Sequence, residues 1–124
     1  MRYFADTYAL IEILKGNPNY EGYSQEELIT TEFNLLELAY ALTRDFGEEK
    51  ALSVLKAVRA YVTLVKPTDE DYVKASRLRL KLKKERKNLS LVDSLGYVIA
   101  LRLGIPFLTG DKAFEDMPNV EFVK

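Results

Sequence analysis

Apolar and polar positions along the 124 residues follow two alternating patterns. Short runs of apolar or β-branched side chains are typical of buried strands. Longer segments between them repeat apolar residues every three or four positions, as on one face of a helix. Strands are predicted at residues 2–6, 28–30, 61–65, 107–109 and 120–123. Helices are predicted at residues 7–16, 31–46, 48–58, 69–86 and 90–103.

Capping residues mark the start of several of these helices. Asp6 directly precedes the first helix, where a carboxylate can accept hydrogen bonds from the free backbone amides. Thr68 and Asp71 have the spacing of a capping box, and so do Ser90 and Asp93. These polar positions support the helix boundaries that the apolar pattern predicts.

The order of the predicted elements indicates the fold class. Strands that alternate with helices favour an α/β domain with a parallel sheet covered by helices on both faces. We expect one such domain over residues 1–124, with no internal repeat or linker. In sheets of this kind the active site lies beyond the carboxyl ends of the strands. Acidic residues at those ends are therefore the first candidates for chemistry.

Two residue types are absent, and their absence restricts the chemistry. The chain has no His and no Cys, which excludes Ser-His and Cys-His nucleophilic catalysis and the usual structural zinc sites. A metal site would have to use oxygen ligands, which suit Mg²⁺ or Mn²⁺. No apolar stretch is long enough to span a membrane, and the N-terminal residues lack the basic-then-apolar pattern of a secretory signal. We therefore expect a cytoplasmic protein that does not contact a membrane.

Four acids stand out by position. Asp6 and Asp111 follow predicted strands, Asp93 lies in the first turn of a helix, and Glu37 lies in an apolar helix. Taken singly, the three aspartates are explained by helix capping. Together they are expected to lie near one edge of the sheet, where their mutual repulsion would need neutralising cations. Divalent metal ions would neutralise them and could also promote hydrolysis of a phosphodiester.

Glu37 is the hardest of the four to explain by a structural role alone. It is the only charged residue between Phe33 and Leu42, and no base lies three or four positions away to pair with it. A carboxylate taken out of water needs a partner. The alternative is that Glu37 lies on the exposed edge of its helix.

The formal net charge of −1 conceals a strongly basic segment. Residues 74–87 hold eight of the 18 Lys and Arg residues and one acid, Glu85. This polarity could steer a charged partner. The candidate contacts to nucleic-acid phosphates are Lys74, Arg77, Lys81, Lys84 and Lys87. The alternatives are a solvated helix face and a surface that receives an acidic protein partner.

Three aromatic residues, Phe33, Tyr40 and Tyr97, are expected in the core or at a dimer contact rather than in a base-stacking surface.

The order of these motifs resembles the PIN domain family, and more narrowly the VapC-type toxins of prokaryotic toxin–antitoxin pairs. Asp6-Thr7 follows the first strand, Glu37 lies in an early apolar helix, and SLVDSLGYVIALRLGIPFLTGD precedes KAF. The resemblance covers essentially the whole chain. Ser94 and Gly96 stand where the family often has Ala and a larger apolar residue, and neither departure is expected to abolish metal binding.

The resemblance implies a three-layer fold with a central, mostly parallel sheet of four or five short strands. It implies a ribonuclease that depends on Mg²⁺ or Mn²⁺. The family's acidic quartet falls on Asp6, Glu37, Asp93 and Asp111, and Asp6, Asp93 and Asp111 are its expected metal ligands. The supporting positions are Thr7, Thr109, Glu115 and Asp116.

The same resemblance implies a homodimer, a cognate antitoxin that enters the active-site groove, and a structured RNA as substrate. Glu37 would orient a water or act as general base. Two other functions stay open at this point: a non-catalytic module that binds RNA or an antitoxin, and a nuclease of the same fold that acts on DNA or in RNA processing.

Overall fold

The computed structural model describes residues 1–124, which form five strands and five α-helices. The strands are β1 (Arg2–Ala5), β2 (Glu27–Thr30), β3 (Thr63–Leu64), β4 (Phe107–Thr109) and β5 (Val120–Phe122). The helices are α1 (Thr7–Leu14), α2 (Glu32–Phe46), α3 (Glu48–Tyr61), α4 (Asp69–Lys84) and α5 (Leu91–Leu103). Two 3₁₀ segments, Pro18–Gln25 and Lys112–Phe114, complete the chain. None of the helices combines the length and apolar character needed to cross a membrane.

All five strands pair in parallel, in the spatial order β3-β2-β1-β4-β5. The chain builds the sheet outward on one side of β1 and then returns to build the other side. The strand order therefore reverses between β1 and β4. In open parallel sheets, the crevice at such a reversal is where ligands bind.

Alternation along β1 separates two cores. Tyr3 and Ala5 pack into the core under α1, α2 and α3, whereas Phe4 packs into the core under α4 and α5. Side chains of a strand point alternately to the two faces of the sheet, so both faces are covered. This arrangement confirms the predicted three-layer α/β fold with a parallel sheet.

The structure differs from the sequence prediction mainly at β3. The predicted strand spans residues 61–65, but α3 continues through Tyr61, and the Val62 amide still donates to the Val58 carbonyl at 3.0 Å. Only Thr63 and Leu64 remain to pair with β2 at the edge of the sheet. The turn-rich segment after α1 forms the 3₁₀ helix Pro18–Gln25, which begins at a proline that fits its first turn.

An ion pair joins α4 to α5. The Arg102 guanidinium donates to both carboxylate oxygens of Asp71, at 2.9 and 2.8 Å. This pairing lowers the pKa of Asp71, whose side chain is buried and also completes the capping box with Thr68. Because Asp71 begins α4 and Arg102 ends α5, the pair fixes the two helices in an antiparallel arrangement.

Three aromatic residues are expected in the core or at a dimer contact, and one of them, Tyr97, is confirmed as a core residue. Tyr97 is buried and stacks against Phe114 at 5.9 Å between ring centroids. Phe33 and Tyr40 are exposed, at 39% and 70%, so they are not core residues, and the other expectation for them, a dimer contact, stays a prediction. They lie on α2, of which the buried face carries Leu35, Leu38 and Leu42 instead. The apolar residues of α2 therefore cover a wider part of the helix surface than the part that is buried.

Gly96 is positioned where α5 crosses the sheet most closely. An added Cβ at this position would stand 2.7 Å from the Phe4 ring and 3.1 Å from the Phe107 ring. Both rings are fully buried and stack on each other at 5.6 Å between centroids. The absence of a side chain thus allows α5 to approach β1 and β4, and α5 carries Asp93 in its first turn.

We expect Gly96→Ala to lower the free energy of unfolding by about 1–3 kcal/mol, because the extra methyl group overpacks a site with no room to yield. Urea unfolding followed by circular dichroism measures the change. Gly22→Ala is the matched control, since nothing lies within 4 Å of a Cβ added there. Equal losses of stability in the two variants would contradict this account of the packing.

Candidate active site

The four predicted acids lie after two strands and in two helices, around the carboxyl edge of the sheet. Asp6 follows β1 directly, and Asp111 comes two residues after the end of β4. These strands are the neighbours between which the strand order reverses. Asp93 in α5 and Glu37 in α2 belong to the helix layers on opposite faces of the sheet. The topology therefore directs all four predicted acids toward one crevice.

Asp6 is the most deeply buried of the four. Its Oδ1 accepts the Ala9 amide at 2.8 Å, and its Oδ2 accepts the Thr109 hydroxyl at 2.5 Å. Burial, together with the smaller effect of the negative charges of Asp93 and Asp111, raises the pKa of Asp6 to about 7, although the two hydrogen bonds act in the opposite direction. A carboxyl group is thus held in a fixed orientation and ionises near neutral pH.

Thr109 connects Asp6 to Asp111. Its hydroxyl donates to Asp6 and accepts the Asp111 amide at 3.0 Å. Gly110 lies between them in a position where a Cβ would overlap the Tyr8 ring and the Val123 carbonyl. The Thr-Gly-Asp sequence therefore supplies one bridging hydroxyl, one residue small enough for the space, and one carboxylate.

The aspartates Asp93 and Asp111 are both capping residues, as the sequence predicts. Asp93 accepts the Ser90 amide at 3.3 Å, while the Ser90 hydroxyl accepts the Asp93 amide at 3.0 Å. Asp111 accepts the Ala113 amide at 3.0 Å. Each carboxylate uses one oxygen for these bonds, so the second oxygen stays available to a ligand. Capping and ligand binding are compatible here.

The pKa of Asp93 is also raised. Burial is the main cause, and the charges of Asp111 and Glu37 add to it, whereas the bonds to Ser90 oppose it. The charges of Asp93 and Asp111 raise the pKa of Asp6, and the charges of Asp111 and Glu37 raise the pKa of Asp93. The four carboxylates consequently form one electrostatic cluster.

Glu37 is held by a chain of hydrogen bonds that includes residues the sequence analysis missed. The Thr7 hydroxyl donates to Glu37 Oε1 at 2.6 Å, and the Asn34 amide group donates to Thr7 at 3.1 Å. The Thr31 hydroxyl in turn donates to Asn34 Oδ1 at 2.7 Å. Asn34 and Thr31 are fully buried. Asn34 had a visible signal, since it is a polar residue one helical turn before Glu37 in an otherwise apolar stretch.

No Lys or Arg nitrogen lies within 4 Å of a carboxylate oxygen of Asp6, Glu37, Asp93 or Asp111. The cluster thus lacks counter-ions from the protein itself. No three acidic side chains come close enough together to enclose a metal ion by themselves. Mg²⁺ commonly uses only one or two carboxylates and keeps several waters. A hydrated ion is therefore compatible with a site at which no three acids come close together.

The remaining predicted site residues lie outside the cluster. Glu115 and Asp116 are exposed, and Asp116 pairs with Lys87 at 3.9 Å. Lys74, Arg77 and Lys81 border a cavity between α4 and α5. The residues that border this cavity do not include Lys84 or Lys87.

Several solved structures share the fold over nearly the whole chain. VapBC2 from Rickettsia felis, bound to a promoter DNA fragment, is 19% identical with a TM-score of 0.76 and covers 100% of both chains. VapC20 from Mycobacterium tuberculosis, a toxin that cleaves the sarcin-ricin loop, is 19% identical with a TM-score of 0.76, over 98% of this chain and 99% of that one. A toxin–antitoxin complex from Klebsiella pneumoniae is 16% identical with a TM-score of 0.72, over 95% and 94%.

Comparison with curated protein sequences finds no significant match. The family model of the PIN domain, in contrast, matches residues 3–120. That range includes all of β2, β3 and β4, β1 without Arg2, only Val120 of β5, and all four acids of the cluster. The α/β fold and its five-stranded parallel sheet agree with this match, and the chain belongs to the PIN domain family.

Proposed function

We propose that this protein is a metal-dependent endoribonuclease that hydrolyses RNA phosphodiester bonds at the acidic cluster. One observation carries the proposal. Four carboxylates are directed toward the reversal of strand order without a protein counter-ion and affect one another electrostatically, and one of them, Asp6, is buried with a pKa raised to about 7. Strongly perturbed pKa values of this kind are concentrated at functional sites.

The chemistry of the donors fits Mg²⁺ or Mn²⁺. All candidate ligands are hard carboxylate oxygens, and Asp93 and Asp111 each have one oxygen free of protein hydrogen bonds. We propose Asp6, Asp93 and Asp111 as the residues that would hold the ion, directly or through waters. When bound, the ion would supply Lewis-acid stabilisation of the phosphate and lower the pKa of a coordinated water.

The protein's own residues would orient the reaction. Thr109 and the Ala9 amide fix Asp6, and Thr7 fixes one oxygen of Glu37 while leaving the other free. Glu37 could then accept a proton from the attacking water. Attack forms a phosphorus–oxygen bond to this water's oxygen, and the bond to the leaving ribose oxygen breaks. The ribose oxygen takes up a proton as it leaves.

The proposal extends to a toxin of the VapBC type with a cognate antitoxin. It is supported by the PIN domain match and by similarity to a toxin–antitoxin complex and to VapC20, a toxin that cleaves the sarcin-ricin loop. A homodimer belongs to the same proposal. Three large apolar side chains of α2, Phe33, Leu36 and Tyr40, are exposed and could be covered by a second copy.

We expect Asp6→Asn and Asp93→Asn each to reduce Mg²⁺-dependent RNA cleavage by at least about a hundredfold, since each removes a charge that would hold the ion. A gel assay on total RNA with purified protein measures the rate. Circular dichroism should show that both variants stay folded.

Asp69→Asn provides the matched control, because Asp69 is an exposed aspartate that forms no ion pair with Lys or Arg. It should cleave at the parental rate. If Asp6→Asn and Asp93→Asn also cleave at that rate, the acidic cluster is not catalytic.

Mn²⁺ should raise the melting temperature of the parent protein. An ion that binds the folded form at a hundred times its Kd adds about 2.7 kcal/mol of stability, on the order of 10 °C for a domain of this size. The shift should be much smaller in Asp93→Asn. A melting temperature that does not respond to Mn²⁺ would favour a non-catalytic binding module instead.

In the presence of a chelator, stability should fall as pH rises from about 4 to 7. Over this range folded Asp6 keeps a proton that the unfolded chain has released, because its folded pKa of about 7 exceeds the ordinary 3.8. The contribution of Asp6 is at most about 4 kcal/mol. Urea unfolding at several pH values measures it. Asp6→Asn should flatten the pH dependence, and an unchanged slope would contradict the burial of this carboxyl.

A further inference from the structure

A basic cavity lies between α4 and α5, separate from the acidic cluster. It has a volume of about 470 Å³, which is within the range that binds small ligands. Four bases border it: Lys74, Arg77 and Lys81 on α4, and Arg102 on α5. Asp71 is the only acid that borders it.

The bases of this cavity differ in how far they are neutralised. Arg102 is paired with Asp71, and Lys74 lies 3.8 Å from Glu70 in an exposed pair of little energetic weight. Arg77 and Lys81 have no acidic oxygen within 4 Å. These two side chains are four positions apart and therefore lie on the same face of α4. They present two uncompensated positive charges side by side.

The cavity also has an apolar surface beside these charges. Leu78 from α4 and Val98 and Leu101 from α5 contribute it. Phosphate groups would bind the bases, and a flat nucleobase could lie against the apolar side chains or stack on the Arg77 guanidinium. The combination fits a ligand with both a phosphate and an aromatic ring.

The cavity is close to the acidic cluster along α5. Asp93 occupies the first turn of this helix, and Tyr97, which borders the cavity, lies one turn further on. One turn is about 5.4 Å along the helix axis. A strand of RNA engaged at the acidic cluster could therefore reach the cavity with a nearby nucleotide.

We propose that the cavity between α4 and α5 binds a nucleoside phosphate, supplied either as a free nucleotide or as one unit of an RNA strand. Binding of an RNA strand in the cavity rests on the proposed ribonuclease function, whereas binding of a free nucleotide does not. The contacts assigned are Arg77 and Lys81 to the phosphate, with Lys74 and Arg102 adding to the positive potential. Lys84 and Lys87 have no part in this site.

The test measures binding without cleavage. Protein in a chelator is titrated with adenosine 5′-monophosphate by calorimetry and with a labelled single-stranded oligoadenylate by fluorescence anisotropy. Arg77→Glu and Lys81→Glu should each weaken binding by about tenfold, since each loses a charged hydrogen bond. For the oligonucleotide, each should also reduce the dependence of log K on log salt by about 0.7 per lost phosphate contact.

Lys83→Glu is the matched control. Lys83 is exposed on the same helix, two positions from Lys81, and does not border the cavity. This control should bind both probes like the parent. A loss with both probes in the cavity variants supports a site open to free nucleotides, and a loss with the oligonucleotide alone supports a site for the RNA strand.

Two outcomes would overturn the proposal: no binding of either probe by the parent, or equal effects of Lys81→Glu and Lys83→Glu. Neither outcome bears on cleavage at the acidic cluster, because binding is read in chelator. Conversely, an Asp6→Asn protein that cleaves like the parent would refute catalysis at the acidic cluster and leave the cavity's affinity for nucleotides unaffected.

Discussion

The buried carboxylate of Asp6, surrounded by other acids and without a base, is the constraint on which the site depends. Burial and the charges of Asp93 and Asp111 oppose its ionisation. The Thr109 hydroxyl and the Ala9 amide oppose this effect and keep the group in one orientation. Their help is partial, since the pKa still lies near 7. The protein itself therefore stabilises the ionised form of Asp6 only in part. A cation at this edge of the sheet would stabilise that form further.

Backbone amides at helix and turn N-termini stabilise three of these carboxylates. Asp6 begins α1, Asp93 lies in the first turn of α5, and Asp111 begins the 3₁₀ turn Lys112–Phe114. Free backbone amides at these positions donate to carboxylates and partly offset their mutual repulsion. Structural capping and a candidate catalytic role are thus two consequences of the same geometry, and the presence of a cap is no argument against function. Glu37 has no such amide and depends instead on side chains, through Thr7 and Asn34.

The features that the sequence predicts well are those with local signals. Strand and helix order, both capping boxes and the parallel sheet follow from short-range patterns and are confirmed. Features that depend on distant contacts were not predictable. The link from Thr31 through Asn34 to Thr7 joins α2 to α1, and Arg102 reaches Asp71 across 31 positions. The sequence could not decide whether Phe33 and Tyr40 lie in the core or at a dimer contact, because periodicity identifies an apolar face of α2 without showing how much of that face the rest of the chain covers.

The separation of charge also follows from the topology. The acids follow strands or begin α5, which brings them to one edge, whereas α4 runs beside α5 and carries bases along its outer positions. An acidic centre repels a polyanion, so a nuclease of this kind needs a positive surface nearby that binds phosphates without competing for the same carboxylates. The pair between Arg102 and Asp71 contributes to this arrangement, because it fixes α4 against α5 and removes the one acid of the cavity from contact with a ligand's phosphate. The two uncompensated charges of Arg77 and Lys81 then stay available for the proposed binding of a phosphate group.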